Sequence, residues 1–374
     1  LRMNSKLYKS IFWGVLFLVS IFTAPGIFAE TIESIPVETS DQEISLESMF
    51  ADPNRVILAN EYIAVAVNKS LDATGRFGIK VTGGDPFRSG DEEKPLIYGF
   101  EKPWTSFTTI RIDGKDYIFG GKTKKRSGGT GEYGKIIESP VLDPETKSIA
   151  MTCSFGAVEV TQEISVVEST TTGYPDTAKI KYSLVNKDDV PRELGVRVVI
   201  DTMLGENDGA PFRIGETAVQ TDSVFDVSRL PEFWQAFDTL AEPKVIAQGT
   251  LKGREATPPD FLYFTTWGSV ADYHWEVPLI PERDFTRAGE FELDSAAVYT
   301  WQPITIPAAG SVTYVLYCGL GGVTVVPGQL QLGVSSPAQV SLAEKENTFS
   351  IVAYIQNTGE GPAMSTRARL NLPP

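Results

Sequence analysis

Strict two-residue alternation of apolar and polar side chains is the feature that most limits what this chain can fold into. From Lys179 to Val185, Ile180, Tyr182 and Leu184 fall on one side, and Lys179, Lys181 and Ser183 on the other. That period matches a strand with one buried and one wet face, and no helix. Glu193 to Ile200 repeats it, with Leu194, Val196, Val198 and Ile200 inward and Arg197 outward. In Arg111 to Ile118, Asp113-Gly114 separates two short alternating runs, the sequence of a hairpin whose type I′ turn needs positive φ. Ser148 to Val167 repeats that layout around Phe155-Gly156-Ala157, and Gln248, Phe261 to Thr266, Tyr299 to Ile306 and Thr313 to Gly319 supply further strands. Helical periodicity is weak, and its best short candidate is Pro231 to Leu240, which Pro243 soon ends. With 33 glycines and 24 prolines in 374 residues, the expectation is an all-β protein. Residues 55–326 are too many for a simple seven-stranded domain, so a large antiparallel β-sandwich, or two fused ones, is expected there.

The N-terminus reads differently. Arg2, Lys6 and Lys9 precede an apolar run from Ile11 to Phe22, a Pro25-Gly26 break and a small residue, Ala29. This is the layout of a secretory signal peptide over 1–29, cleaved before Glu30. An uncleaved anchor is the rival, because Ser10 to Ala29 carries no charge. The expected location is extracytoplasmic, secreted or in the cell envelope, with no membrane span after cleavage. Residues 30–54 are acidic and rich in Ser, Thr and Pro, and read as a flexible arm. Leu1 precedes Met3, which points to Met3 as the initiator.

Charge and residue scarcity exclude several functions. Lys and Arg number 33 against 48 Asp and Glu, a net charge of −15, whereas a nucleic-acid binder needs a basic footprint. Two cysteines, Cys153 and Cys318, and one histidine, His274, leave too few ligands for a zinc site. The cysteines either pair in the oxidising compartment or serve as small buried hydrophobes. No Gly-x-Ser-x-Gly elbow accompanies His274, and Gly120-Gly-Lys-Thr123 lacks the first glycine of a phosphate loop, Asp116 standing in its place.

Two resemblances follow from particular segments. NTFSIVAYIQNTGEGPA (347–363), followed by ARLNLPP (368–374), resembles the opening strands of the immunoglobulin-like cell-adhesion-related repeats of bacterial surface proteins. It implies an immunoglobulin-like sandwich over 327–374, an incomplete one, because such a domain needs about 100 residues. Three strands are expected there: 330–337, 347–357 and 366–372. In the middle, KIKYSLVNKDDVPRELGVRVVIDTMLG, with the Trp301 strand and Ile306-Pro-Ala-Ala-Gly310, is similar in layout to supersandwich domains of the galactose-mutarotase type. That resemblance implies a supersandwich-like fold that handles sugars. The epimerases of that family rely on active-site histidines, and His274 stands alone here, so epimerase chemistry is not implied.

Three groups of residues are candidates for a site. Asp201, Glu206, Asn207 and Asp208 crowd oxygen ligands beside glycines, which suits calcium, the one cofactor the sequence admits. The alternatives are a strand-end loop whose Asn207-Asp208-Gly209 permits positive φ, or a ligand-binding loop. Trp234, Trp267, Tyr273, Trp275 and Trp301, with Phe233 and Phe237, form either a stacking platform for sugars or the filling of a core. Lys122, Lys124, Lys125 and Arg126 form a basic loop, solvated or in contact with a polyanion. Acid pairs such as Glu282 with Asp284, or Glu206 with Asp208, would be needed for glycosidic cleavage. The expectation is an exported, non-catalytic envelope or surface protein that binds carbohydrate or another cell-surface component. A carbohydrate-active enzyme using carboxylates is the alternative, and a structural spacer the third.

Overall fold

The computed structural model describes residues 52–86, 89–215, 217–240, 243–286, 293–322, 330–335 and 352–357. The expected signal peptide and most of the expected acidic arm lie outside them. No helix among the described residues is long and apolar enough to cross a membrane.

The architecture is an antiparallel sandwich. One sheet has nine strands, in the order β13 (Thr217–Val219), β12 (Phe212–Ile214), β15 (Phe233–Phe237), β16 (Ile246–Thr250), β19 (Ser311–Leu320), β10 (Thr177–Asn186), β9 (Val158–Val167), β8 (Ser148–Phe155) and β7 (Lys135–Asp143). The other has seven, in the order β14 (Ser223–Asp226), β17 (Phe261–Thr265), β18 (Ser295–Ile306), β11 (Arg192–Thr202), β4 (Phe107–Ile112), β5 (Lys115–Ile118) and β6 (Glu132–Tyr133), with only β5 and β6 parallel. A smaller sheet of β1 (Arg55–Ala59), β2 (Ile63–Asn68) and β3 (Phe77–Val81) adds Val65, Val67 and Ile79 to the same core. β20 (Leu330–Ser335) and β21 (Val352–Asn357) pair with each other. They coincide with two of the three tail strands expected, and the third lies outside the described residues.

The alternation produces the core directly. β10 buries Ile180, Tyr182 and Leu184, while its outer face carries Lys181 paired with Glu163 at 2.9 Å and Lys179 paired with Glu255. β11 sends Leu194, Val196, Val198 and Ile200 inward from the opposite sheet. A polar bond crosses between the sheets: Tyr182 Oη lies 2.6 Å from Thr108 Oγ1 of β4, and within its own sheet it accepts from Gln162 Nε2 at 2.8 Å. The β4–β5 turn has φ of 48° at Asp113 and 80° at Gly114, as the Asp-Gly pair requires.

One expectation is corrected, and one alternative is decided. Pro231 to Leu240 forms no helix: Phe233–Phe237 is β15, paired with both β12 and β16. Trp234 from it is fully buried, and a Cβ on the facing Gly249 would lie 2.2 Å from the indole, so glycine is what admits the ring. The helix present among the described residues is one turn, α1 (Trp267–Val270). The cysteines do not pair. Cys153 on β8 and Cys318 on β19 are separated by β9 and β10, about 14 Å at ordinary strand spacing, beyond the roughly 7 Å Cα limit of a disulfide. Both are buried, which pushes the thiols up to about 11 and about 12.

Candidate functional site

The seven-stranded sheet has a second face, away from the core, and the candidate residues gather there. Because β11 turns its even-numbered side chains inward, Arg197, Val199 and Asp201 point to that second face. Phe107, Ile118, Val199 and Val298 form an apolar floor on it, and α1 covers them with Trp267 and Val270, joined by Ala271 just after it.

Residues 267–277 form a strap over this floor. The sequence put Arg197 in solvent, yet it is fully buried beneath the strap. Its guanidinium donates to the carbonyls of Tyr273 (2.9 Å), His274 (3.3 Å) and Val270 (3.3 Å) and lies over the Phe107 ring. Burial pushes Arg197 down to about 9. Arg76, also buried, approaches the same ring and donates to the carbonyls of Phe119 (2.6 Å) and Ser127 (3.2 Å). Arg111 sits 4.2 Å over the Trp275 ring while bound through two nitrogens to Asp116.

The basic loop lies against the strap. Arg126 pairs with Asp272 at 2.8 Å, and Gly128 N donates to Ala271 O at 2.8 Å. Lys125 Nζ stands 4.7 Å over Trp104, whose ring meets Trp267 edge-on at 5.5 Å. Lys122 and Lys124 are exposed.

At the end of β11 the face turns acidic. Asp201 is the last residue but one of β11, Asp294 immediately precedes the neighbouring β18, and Asp208 lies in the loop after β11; one carboxylate oxygen from each falls within 4.8 Å of the others. Burial, and then the Asp294 charge beside it, hold Asp201 well above the usual carboxylate range. Thr105 faces Asp201, and its carbonyl accepts the Trp267 indole N–H at 3.2 Å. Half-buried Tyr98 gives its N–H to Asp201 O at 3.0 Å, and burial together with the three carboxylates raises its phenol.

Of the oxygen-ligand set read from the sequence, the structure brings two members together and leaves two apart. Asp201 and Asp208 come together; Glu206 is exposed, and Asn207 holds the loop, accepting Gly209 N at 3.0 Å and donating to Asp238 O at 2.8 Å. The positive φ falls at Gly205, not Gly209, where a Cβ would instead lie 2.6 Å from Phe285 O. Asp294 was missed because only the β11–β18 pairing, Thr202 opposite Ser295, brings it near.

The five aromatics do not form one platform. Trp234 and Trp301 fill the core, donating to Tyr299 Oη (2.7 Å) and Thr257 O (3.0 Å). Trp267 and Trp275 are buried in the strap, and Tyr273 is 48% exposed. Trp104, half-buried beside the basic loop, was not singled out, because nothing local distinguishes it from a core tryptophan. Of the acid pairs, Glu282 and Glu206 are exposed, Glu282 at a positive-φ turn, and Asp284 accepts the N–H and hydroxyl of Thr286.

No protein-family model matches the chain, and no curated protein matches it. Among solved structures it is similar to a galactose mutarotase related enzyme from Lactobacillus acidophilus, at 9% identity over 72% of this chain and 98% of that one, TM-score 0.35. A galactose mutarotase-like protein from Lactobacillus casei matches at 9% over 71% of this chain and 100% of that one, TM-score 0.36. A heparan sulfate lyase from Pedobacter heparinus matches at 8% over 83% of this chain and 42% of that one, TM-score 0.32. At 8–9% identity and TM-scores of 0.32–0.36, these likenesses assign no residue a role.

Proposed function

We propose that this chain is an exported, non-catalytic protein of the cell envelope or surface that binds acidic carbohydrate on the second face of its seven-stranded sheet. The observation that carries the reading is the cationic loop, laid on aromatic rings in a chain of net charge −15: Lys125 over Trp104 and Arg126 5.6 Å over Trp267, with Lys122 and Lys124 exposed alongside. Local positive charge beside a half-buried indole offers a carboxylated or sulfated sugar both ionic contacts and an apolar surface. The export layout of residues 1–29 supports a surface location. The nucleophile candidates support a binding role: both thiols are buried with raised pKa, and His274 Nε2 reaches Thr130 Oγ1 at 3.4 Å.

The test is binding to a panel of acidic and neutral polysaccharides at low and physiological salt. Retention of acidic members that weakens as salt rises, and is lost in a Lys122→Glu/Lys124→Glu variant, is the expected result. Equal binding by the variant, or binding to neutral glycans alone, would overturn the proposal.

A further inference from the structure

We infer that Asp201, Asp208 and Asp294 form a binding site for a hard divalent cation, with calcium the ion best suited to their all-oxygen set. Calcium takes six to eight oxygens at about 2.3–2.6 Å, so two ligand oxygens on one ion stand no more than roughly 5 Å apart. The three carboxylates meet that limit, with one oxygen of each within 4.8 Å of the other two.

Asp201 supplies an observation beyond acidity. It is 3% exposed, and its Oδ1 is buried and accepts no hydrogen bond. Buried oxygens are ordinarily satisfied, and an orphaned carboxylate oxygen in a dry site costs more than a neutral one. A cation among the three aspartates would satisfy Asp201 and offset the mutual repulsion of the carboxylates. The frame is stiff on the sides that matter. Asp201 N–H is fixed to Ser106 Oγ at 3.1 Å, and Asp208 O accepts both Ser295 N (2.8 Å) and Ser295 Oγ (3.2 Å), next to Asp294. Asp208 is only half-buried, which leaves a way in for the ion and room for water ligands.

This site is independent of the glycan proposal and uses none of the lysines invoked there. The probe is terbium, a calcium surrogate whose emission is sensitised by nearby Tyr and Trp rings; Tyr98 and Trp267 stand close by. The full chain, stripped with chelator, is expected to give saturable terbium emission that calcium displaces, and a melting temperature that rises with calcium. Asp201→Asn, of the same shape, is expected to bind roughly tenfold or more weakly, since loss even of an outer partner of a metal ligand costs that much. Glu206→Gln is expected to bind as the parent does. Should Asp201→Asn fail to fold, Asp208→Asn on the open side carries the same expectation. The inference is overturned if neither terbium nor calcium, magnesium or manganese changes emission or melting. It is equally overturned if a folded Asp201→Asn or Asp208→Asn variant binds as the parent does.

Discussion

The indole N–H of Trp234, on the nine-stranded sheet, donates to the hydroxyl of Tyr299, on the seven-stranded sheet, at 2.7 Å through the centre of the core. Both residues are buried, so each polar atom depends on the other. Tyr299→Phe keeps the ring and orphans the indole N–H, a loss of about 1–3 kcal/mol. Urea unfolding should show that loss with an unchanged m-value, and Trp234→Phe added to it should cost less than it does alone. Additive losses would mean the bond contributes nothing.

How far the sequence discloses this structure depends on the range of the interaction. β10, β11 and the Asp113-Gly114 hairpin are legible because a strand buried on one face writes its period into neighbouring residues. β15 was misread because Phe233, Trp234, Ala236 and Phe237 place apolar groups at both periods, and only pairing with β12 and β16 decides between them. Arg197 alternates as an outward residue should, yet a strap arriving some seventy positions later buries it. Asp294 joins Asp201 through strand pairing alone, so no spacing rule in the sequence finds it.

The thiols offer a second check. Separated by two strands and buried, Cys153 and Cys318 should resist a thiol reagent in the native state and react fully in denaturant. Melting temperature should be the same with and without reductant. A reductant-dependent drop would signal a disulfide and contradict the strand order.

Asp176 should make stability depend on pH. Burial, with a smaller contribution from Asp85, pushes its carboxyl from 3.8 up to about 6, although the Thr172 and Thr177 hydroxyls donate to it. Between those values the folded chain holds a proton that the unfolded chain releases, so stability falls as pH rises through the window. Above pH 6 the buried charge is a standing cost of at most about 3 kcal/mol. Asp176→Asn should therefore melt higher than the parent at pH 7.5, with the gap closing toward pH 4.5. Parallel melting curves across that range would rule this out.

Arg197 should decide whether the strap stays down. Its guanidinium reaches three strap carbonyls, so the buried charge is tolerated for the donors it brings. Arg197→Met preserves much of the side-chain bulk over Phe107 and relieves the buried charge, but leaves the carbonyls of Val270, Tyr273 and His274 without those donors. Relief of the charge limits the global loss, and the orphaned carbonyls of Tyr273 and His274, worth roughly 1–3 kcal/mol each, place the damage in the strap, while Val270 O keeps the Tyr273 N–H at 3.2 Å. The sandwich core, built from the other face of β11, should keep its cooperative unfolding. Limited chymotrypsin digestion reads the difference: Arg197→Met should be cut at Tyr273 or Trp275 under conditions that leave the parent intact. Arg197→Lys, which keeps a donor but not the fork, should fall between them. Identical digestion of all three would show that the apolar floor, and not Arg197, holds the strap.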